Sequence, residues 1–512
     1  MLTYSFEERG ELPLYEYLYR CIADDIKAGR ISAHEKLPSK RSLAKHLGIS
    51  IITVENAYAQ LAAEGFITSR QRQGYFACNI PSSKKTSTPA SSSIKHDSTY
   101  FRISSLAQEE ALQQTNYACE NSPFFDLTTG IANDIFPYSS WAKCLRDVLI
   151  QEPEKTLVAE TTVQGVYKLR QYLCEYLKEY RGMSIEPEQI VIGSGSQYLY
   201  GLLAQFFNSN TKIALEDPGY PLLYKVYASH HIDTVSVPLD EGGINLQELK
   251  RSKANVAHVV PSHQFPTGMV TSIARRYELL AWASEKDDAL IIEDDYDCQF
   301  RLSGRPIPPL CNLDTEGKVI YTNTFSKSLG PAFRIAYLIL PKNLVDPFLE
   351  KLGFYSCPVS ALDQLALAYF IKNGHYERHI NRLKTRYKML RNALIEELKR
   401  CPLGCRLVFK NEDAGLHFLL GYKTTTYSSK ELARFAKNEG VLLRPLDEYC
   451  FKTHTALSIP GVYYNNHTEN DANQPSDTLV WFVVNYGGIS ENDAAIIAQA
   501  LTKAWGNQEK DA

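Results

Sequence analysis

Between Pro81 and Thr99 the chain reads PSSKKTSTPASSSIKHDST, a run of Ser, Thr, Lys and Pro with almost nothing to bury. Such a segment supports neither a core strand nor an amphipathic helix, so it divides the polypeptide. The organisation it predicts is a small domain over residues 1–79, a linker over 80–122, and a large domain in two parts over 123–512.

The first 80 residues carry a compact helical pattern. Leu18, Ile22 and Ile26 fall on one side of a helix from Leu14 that stops at Gly29. Pro38 and Ser39 open a second helix with Leu43, Ala44 and Leu47 on its apolar face, and Gly48 ends it. Ser50 caps a third, whose buried stripe is Val54, Ala57, Tyr58 and Leu61. Two short helices joined through Gly48-Ile49-Ser50 are the helix-turn-helix pattern. Phe66–Ser69 and Gly74–Ala77 then flank the polar tip Arg70-Gln71-Arg72-Gln73, a β-hairpin wing.

Charge decides whether that pattern faces a polyanion. The whole chain has a formal charge of −3, which gives no global basic field. From Lys36 to Cys78, however, Lys36, Lys40, Arg41, Lys45, Arg70 and Arg72 oppose only Glu55 and Glu64, a local net of +4. The cations stand at the start of the second helix and on the wing, where phosphates would lie.

Past the linker, short apolar runs alternate with helical patterns: Ile190–Ile192, Lys212–Leu215, Val256–Val260 and Leu290–Ile292 each precede a helix or a loop. This predicts an α/β fold with a mostly parallel sheet, and ligands at the carboxyl ends of its strands. One set of residues fits pyridoxal 5′-phosphate, which needs an amine for a Schiff base, an acid facing the pyridine nitrogen, and donors for a dianionic phosphate. Lys327, in TFSKS, supplies the amine. Asp294, at the end of a strand, faces the ring nitrogen, and Tyr296 donates to the ring's phenolic oxygen. Gly195, Ser196 and Gln197 sit in a strand-to-helix turn that cradles phosphate, with Thr324 and Arg334 as further donors. Tyr220, after the Pro218-Gly219 turn, stacks on the ring.

Eleven cysteines without a CxxC pair read as reduced thiols of a cytoplasmic protein. His263 and His417 read as core or rim histidines, and no metal set is expected. No run of 18 apolar residues occurs, so no membrane association is expected.

The N-terminal stretch LPSKRSLAKHLGISIITVENAYAQLAAEGFITSRQRQGYFA resembles the winged helix-turn-helix of GntR regulators. The resemblance implies that Ser39 and Arg41 grip phosphate or a base edge, that Thr53 begins the recognition helix, and that Arg70, Arg72 and Gly74 serve the wing. Ile51 stands where family members often have Arg and cannot make the bidentate guanine contact. From about Phe125 to Trp505 the chain resembles type I aminotransferases. DLTTGIANDIFPYSSW, GSGSQ, EDPGY, PSHQFPTG, EDDYD, TFSKS and AGLHFLL are similar to the MocR regulators, which fuse the two units.

Two departures separate the chain from working aminotransferases. Phe265 replaces the Asn before Pro-Thr-Gly that bonds the ring oxygen, and Val483 replaces the Arg that clamps a substrate carboxylate. Arg444 is read as structural. The expectation is therefore a sensor, with no catalytic residue assigned: a homodimeric transcription regulator binding double-stranded DNA at repeated or palindromic half-sites. Its effector is either pyridoxal phosphate itself, which would link it to vitamin B6 metabolism, or an amine or amino acid. The alternative is an active aminotransferase carrying a DNA-binding fusion.

Overall fold

The computed structural model describes residue 4 and residues 12–70, 74–79, 125–129, 136–302, 304, 307–413, 415–451 and 478–506. The expected linker, residues 80–122, and Arg72 on the wing lie outside the described residues.

The N-terminal unit is a winged helix. Helices α1 (Leu14–Lys27), α2 (Lys40–Leu47) and α3 (Ile51–Ala63) are followed by strands β1 (Ile67–Arg70) and β2 (Gly74–Ala77). The caps act as the sequence predicts: Ser39 Oγ accepts from the Ser42 amide at 3.2 Å, and Ser50 Oγ from the Thr53 amide at 3.0 Å. Gly48 ends α2 at φ 67°, a left-handed conformation that costs glycine little. Leu18, Ile22, Leu43, Val54, Tyr58 and Leu61 bury together, and the Tyr58 hydroxyl donates to the Pro38 carbonyl at 2.9 Å. The two strands pair antiparallel, with Arg70 opposite Gly74, so Arg70 ends a strand and does not sit at the tip.

The large unit is built on an eight-stranded sheet. Its strands are β4 (Ile190–Gly193), β5 (Lys212–Asp217), β6 (Asp233–Asp240), β7 (Gly243–Ile244), β8 (Val256–Val259), β9 (Leu290–Asp294), β10 (Val319–Thr324) and β11 (Ala336–Ile339), in the order β4-β11-β10-β9-β8-β5-β6-β7. The central neighbours β10, β9, β8, β5 and β6 are parallel, and the first four are buried almost end to end, as strands covered on both faces are. Strand β11 runs antiparallel to both β10 and β4. Its start therefore lies at the edge where the parallel strands end, which brings Arg334 to the same cavity as Asp294 and Thr324.

A second sheet, β12-β13-β16-β15, is antiparallel and formed by β12 (Leu407–Lys410), β13 (His417–Thr424), β15 (Arg444–Pro445) and β16 (Thr478–Asn485). Within the large unit, β3 (Phe125–Asp126) pairs in parallel with β14 (Val441–Leu442).

The winged helix packs on the large unit of its own chain. Ile273, which begins a helix reaching Ser284, belongs to the core of the winged helix, and its amide donates to the Glu64 carbonyl at 2.9 Å.

Candidate functional site

The parallel strands deliver side chains to one edge. A cavity of about 200 Å³ there is lined by Ser196, Gln197, Tyr220, Asp294, Tyr296, Thr324, Lys327 and Arg334, together with Tyr200, Glu216, Phe265, Ser326 and Phe451. Gly195, the remaining predicted residue, adjoins the wall. At φ 85° and ψ 163° it occupies a region essentially reserved for glycine, and a Cβ there would come within 2.7 Å of Arg334 Nη2.

Lys327 lies on a short helix, Ser326–Leu329, just past β10, with Nζ 5.9 Å from the centre of the Tyr296 ring. Burial lowers its pKa, while Asp297 and Asp294 oppose that shift. Desolvation therefore favours the neutral amine, the nucleophilic form. Asp294 closes β9. Its Oδ2 accepts from Tyr200 at 2.6 Å, whereas its Oδ1 is buried with no protein partner. A carboxylate held by one oxygen and unsatisfied at the other suits a protonated ring nitrogen.

Ser196 and Gln197 begin the helix Ser196–Phe206, whose free amides and dipole favour an anion. Arg334 Nη2 lies 3.5 Å from the Ser194 carbonyl, and Thr324 Oγ1 is 3.0 Å from Ser326 Oγ. Donors of three kinds thus converge on one end of the cavity. Tyr220 meets Phe265 edge-on at 5.9 Å, and Phe265 also packs against Tyr296, His417 and Tyr449. The position that hydrogen-bonds the ring oxygen in aminotransferases is thus an apolar partition.

Val483 is buried at the centre of β16, between Leu419 and Arg444, in the cluster on which Phe265 packs. Arg444 points its guanidinium over Tyr449 and lies 3.6 Å from Glu448. Among the described residues lining the cavity, the cations are Lys327 and Arg334.

Sequence reasoning missed Tyr200 and Glu216. Tyr200 stands four residues after Ser196, on the same helix face, which was the available signal. Glu216 opens EDPGY; burial pushes its carboxyl up to about 8, against bonds from Gln264 and the Val260 amide, and its Oε1 has no partner. His263 and His417 are buried, as expected of core histidines; their rings lie 4.5 Å apart and tilted, with Asp297 Oδ2 2.6 Å from His263 Nδ1 and the Pro266 carbonyl 3.1 Å from His417 Nε2.

On the winged helix, Arg41, Ser39 and Arg70 are exposed and Thr53 is half-buried. The Arg70 guanidinium lies over Phe76 at 4.8 Å. Gly74 takes φ 105° at the turn of the wing. Ser39 and Thr53 also serve the caps, Thr53 Oγ1 lying 2.8 Å from Ser50 Oγ. Ile51 and Ile52 are 48% and 68% exposed at the start of α3, so apolar surface occupies the position where a guanine-reading Arg often stands.

Residues 14–76 match the family of bacterial regulatory proteins, gntR family, and residues 132–462 match aminotransferase class I and II. The chain is 38% identical over 97% of its length, and 97% of the relative's, to an uncharacterized HTH-type transcriptional regulator, YdeL, of Bacillus subtilis. It is 31% identical to the probable rhizopine catabolism regulatory protein MocR of Rhizobium meliloti, covering 86% of this chain and 88% of that one. It is 30% identical to the pyridoxine biosynthesis transcriptional regulator PdxR of Corynebacterium glutamicum, covering 77% and 80%. Among solved structures, kynurenine aminotransferase of Pyrococcus horikoshii shares the fold, with a TM-score of 0.63 at 24% identity over 80% of this chain and 95% of that one.

Proposed function

The chain belongs to the MocR-type transcription regulators, in which a GntR helix-turn-helix that binds DNA is joined to an aminotransferase class I and II domain that binds pyridoxal phosphate, and from this premise we propose that occupancy of the Lys327 cavity sets DNA affinity. The observation that carries the reading is the combination of an intact cofactor cradle with an absent substrate clamp: Lys327, Asp294 and Arg334 line the cavity while Val483 fills the anchor position with buried hydrocarbon.

When bound, pyridoxal phosphate supplies an aldehyde that condenses with amines. In our reading this chain's residues do the rest. Lys327 presents a desolvated amine. Asp294 Oδ1 holds a proton at the ring nitrogen, with Tyr200 fixing the other oxygen. Gly195, Ser196, Gln197, Thr324 and Arg334 bind the phosphate, Tyr220 stacks on the ring, and Tyr296 orients its hydroxyl toward the ring oxygen.

We further assign residues 1–79 to the DNA reader, 80–122 to the linker and 123–512 to the sensor. The protein acts in the cytoplasm as a homodimer whose two readers engage repeated or palindromic half-sites. Ser39, Arg41, Arg70 and Arg72 contact phosphate, Thr53 and Gly74 place the recognition helix and the wing, and Ile51 and Ile52 meet thymine methyls in the groove. Coupling is supported by one continuous path. Phe265 in the cavity wall belongs to the loop from Pro261 to Gly268, and Arg276 donates to the Pro261 carbonyl at 2.9 Å, three residues from Ile273, whose amide donates to the carbonyl of Glu64 just past α3.

The effector is pyridoxal phosphate itself, in keeping with the missing carboxylate clamp; an amine or amino acid acting on the bound cofactor is the second form of the same reading. The test is a DNA-binding isotherm of the full chain, on the region upstream of its own gene, with and without pyridoxal phosphate. A shift supports the proposal, and superimposable isotherms overturn it. Rapid turnover of common amino acids would instead favour an active aminotransferase.

A further inference from the structure

His258 lies on β8 opposite Ile292 of β9, so its side chain shares the sheet face of Ile292 and Asp294. The helices Ser196–Phe206 and Pro221–Ser229 bring Tyr200 and Tyr227 onto that face, and both tyrosines and the histidine are buried. We propose that His258, held by Tyr227, is a positioning residue that turns the Asp294 carboxylate toward the ring nitrogen of pyridoxal phosphate, so that the cavity selects for a cofactor carrying that nitrogen. The inference rests on the placement of the ring nitrogen at Asp294.

The hydrogen-bonding roles fix the tautomer of the histidine. Its Nδ1 lies 2.8 Å from the Tyr227 hydroxyl, and its Nε2, on the other side of the ring, lies 3.8 Å from Asp294 Oδ2. If Nδ1 carried the proton, the Nε2 lone pair would face a carboxylate oxygen, and the Tyr227 hydroxyl proton would have no acceptor among the described residues. With Tyr227 donating to Nδ1, both mismatches disappear and Nε2 turns an N–H toward Asp294. At 3.8 Å that contact is electrostatic and not a full hydrogen bond, and Nε2 is buried without a hydrogen-bond partner among the described residues.

Two N–H or O–H groups therefore address one oxygen. Tyr200 donates to Asp294 Oδ2 at 2.6 Å, and the His258 N–H faces the same atom from the sheet. Asp294 Oδ1 is buried without a protein partner, and Asp294 lines the cavity, so this is the oxygen left for the cofactor. A carboxylate pinned at one oxygen has little freedom to lose when the other accepts a ring N–H, a gain open only to a ligand that has one. The imidazole is itself held edge-on between the Tyr200 ring at 5.1 Å and the Tyr227 ring at 5.9 Å. Neither His258 nor Tyr227 lines the cavity, so His258 acts on the cofactor through Asp294.

The experiment titrates the cofactor-free full chain, without DNA, with pyridoxal phosphate and with its ring-deaza analogue, in which C–H replaces the ring nitrogen; binding is followed by absorbance. His258→Asn keeps a polar group for Tyr227 but falls short of Asp294, whereas His258→Gln reaches the position of Nε2; both are checked for folding by circular dichroism. His258→Asn should weaken pyridoxal phosphate by about fivefold and leave the analogue within about twofold, and His258→Gln should recover most of the loss. Equal weakening of both ligands in His258→Asn, unchanged affinity for pyridoxal phosphate, or no recovery in His258→Gln overturns the proposal. Nitrogen NMR of the histidine-labelled wild type should show His258 protonated at Nε2, and the opposite tautomer overturns the proposal even where His258→Asn does not fold. The two readings fail on different measurements. Wild-type protein that binds both ligands alike refutes the Asp294 placement and takes the role of His258 with it, whereas a selective wild type with an equally selective His258→Asn refutes the role of His258 alone.

Discussion

Gly195→Ala separates two effects that the structure places at one atom. The backbone at φ 85° and ψ 163° is disfavoured for alanine, a strain of about 1–3 kcal/mol that the folded state bears with or without ligand. The added methyl would also stand 2.7 Å from Arg334 Nη2 and 2.8 Å from Cζ, so the guanidinium must swing out of the cradle. A hydrogen bond to a charged group contributes about 1.5–3 kcal/mol. Arg334 is open to solvent, so the lower end applies, and about 1.5 kcal/mol corresponds to roughly tenfold weaker binding of pyridoxal phosphate. The assay is a titration of cofactor-free protein followed by absorbance, with thermal unfolding in parallel. A lowered Tm with unchanged affinity would leave the strain argument standing and refute the placement of Arg334 on the phosphate.

Lys327→Ala should abolish the visible absorption of the lysine-bound cofactor while leaving far-ultraviolet circular dichroism intact; a retained band at the wild-type position would remove Lys327 from the attachment role. Glu216→Gln tests the buried carboxyl. Its folded pKa of about 8 exceeds the ordinary value, so the folded state holds the proton more tightly, and wild-type stability contributed by this group is lost as pH rises from about 5 to about 8. The Tm of the variant should therefore gain on the wild type from about pH 5 to about pH 9, and a constant difference would contradict the assignment. Arg41→Ala should weaken binding to all DNA sequences alike and lower the salt slope by about one. An unchanged slope would take Arg41 off the phosphates.

Much of the cofactor wall was legible because strand ends can be read from apolar runs. Asp294 follows Leu290–Glu293 and Thr324 follows Val319–Tyr321, and a parallel sheet puts such ends on one edge. The winged helix was legible for a similar local reason: Ser39, Gly48 and Ser50 punctuate it. What periodicity could not state was strand order. Tyr200 reaches Asp294 across 94 positions only because β11 reverses and lets β4 join the sheet beside it. The His263, Asp297 and His417 cluster joins a loop of one sheet to the first residue of another, a meeting that no spacing along the chain encodes. Glu216 was visible in EDPGY, but its burial depends on Gln264 and Val260, which arrive from β8 and its loop.

The central claim, that the cofactor cavity and the DNA reader share one equilibrium, is tested most directly by measuring both halves of the thermodynamic cycle on the full chain. Linkage requires pyridoxal phosphate to change DNA affinity by the same factor by which DNA changes pyridoxal phosphate affinity. The account predicts equal factors, several-fold or larger, that collapse to one in Lys327→Ala. Cofactor affinity that is identical with and without DNA in the wild type would contradict it.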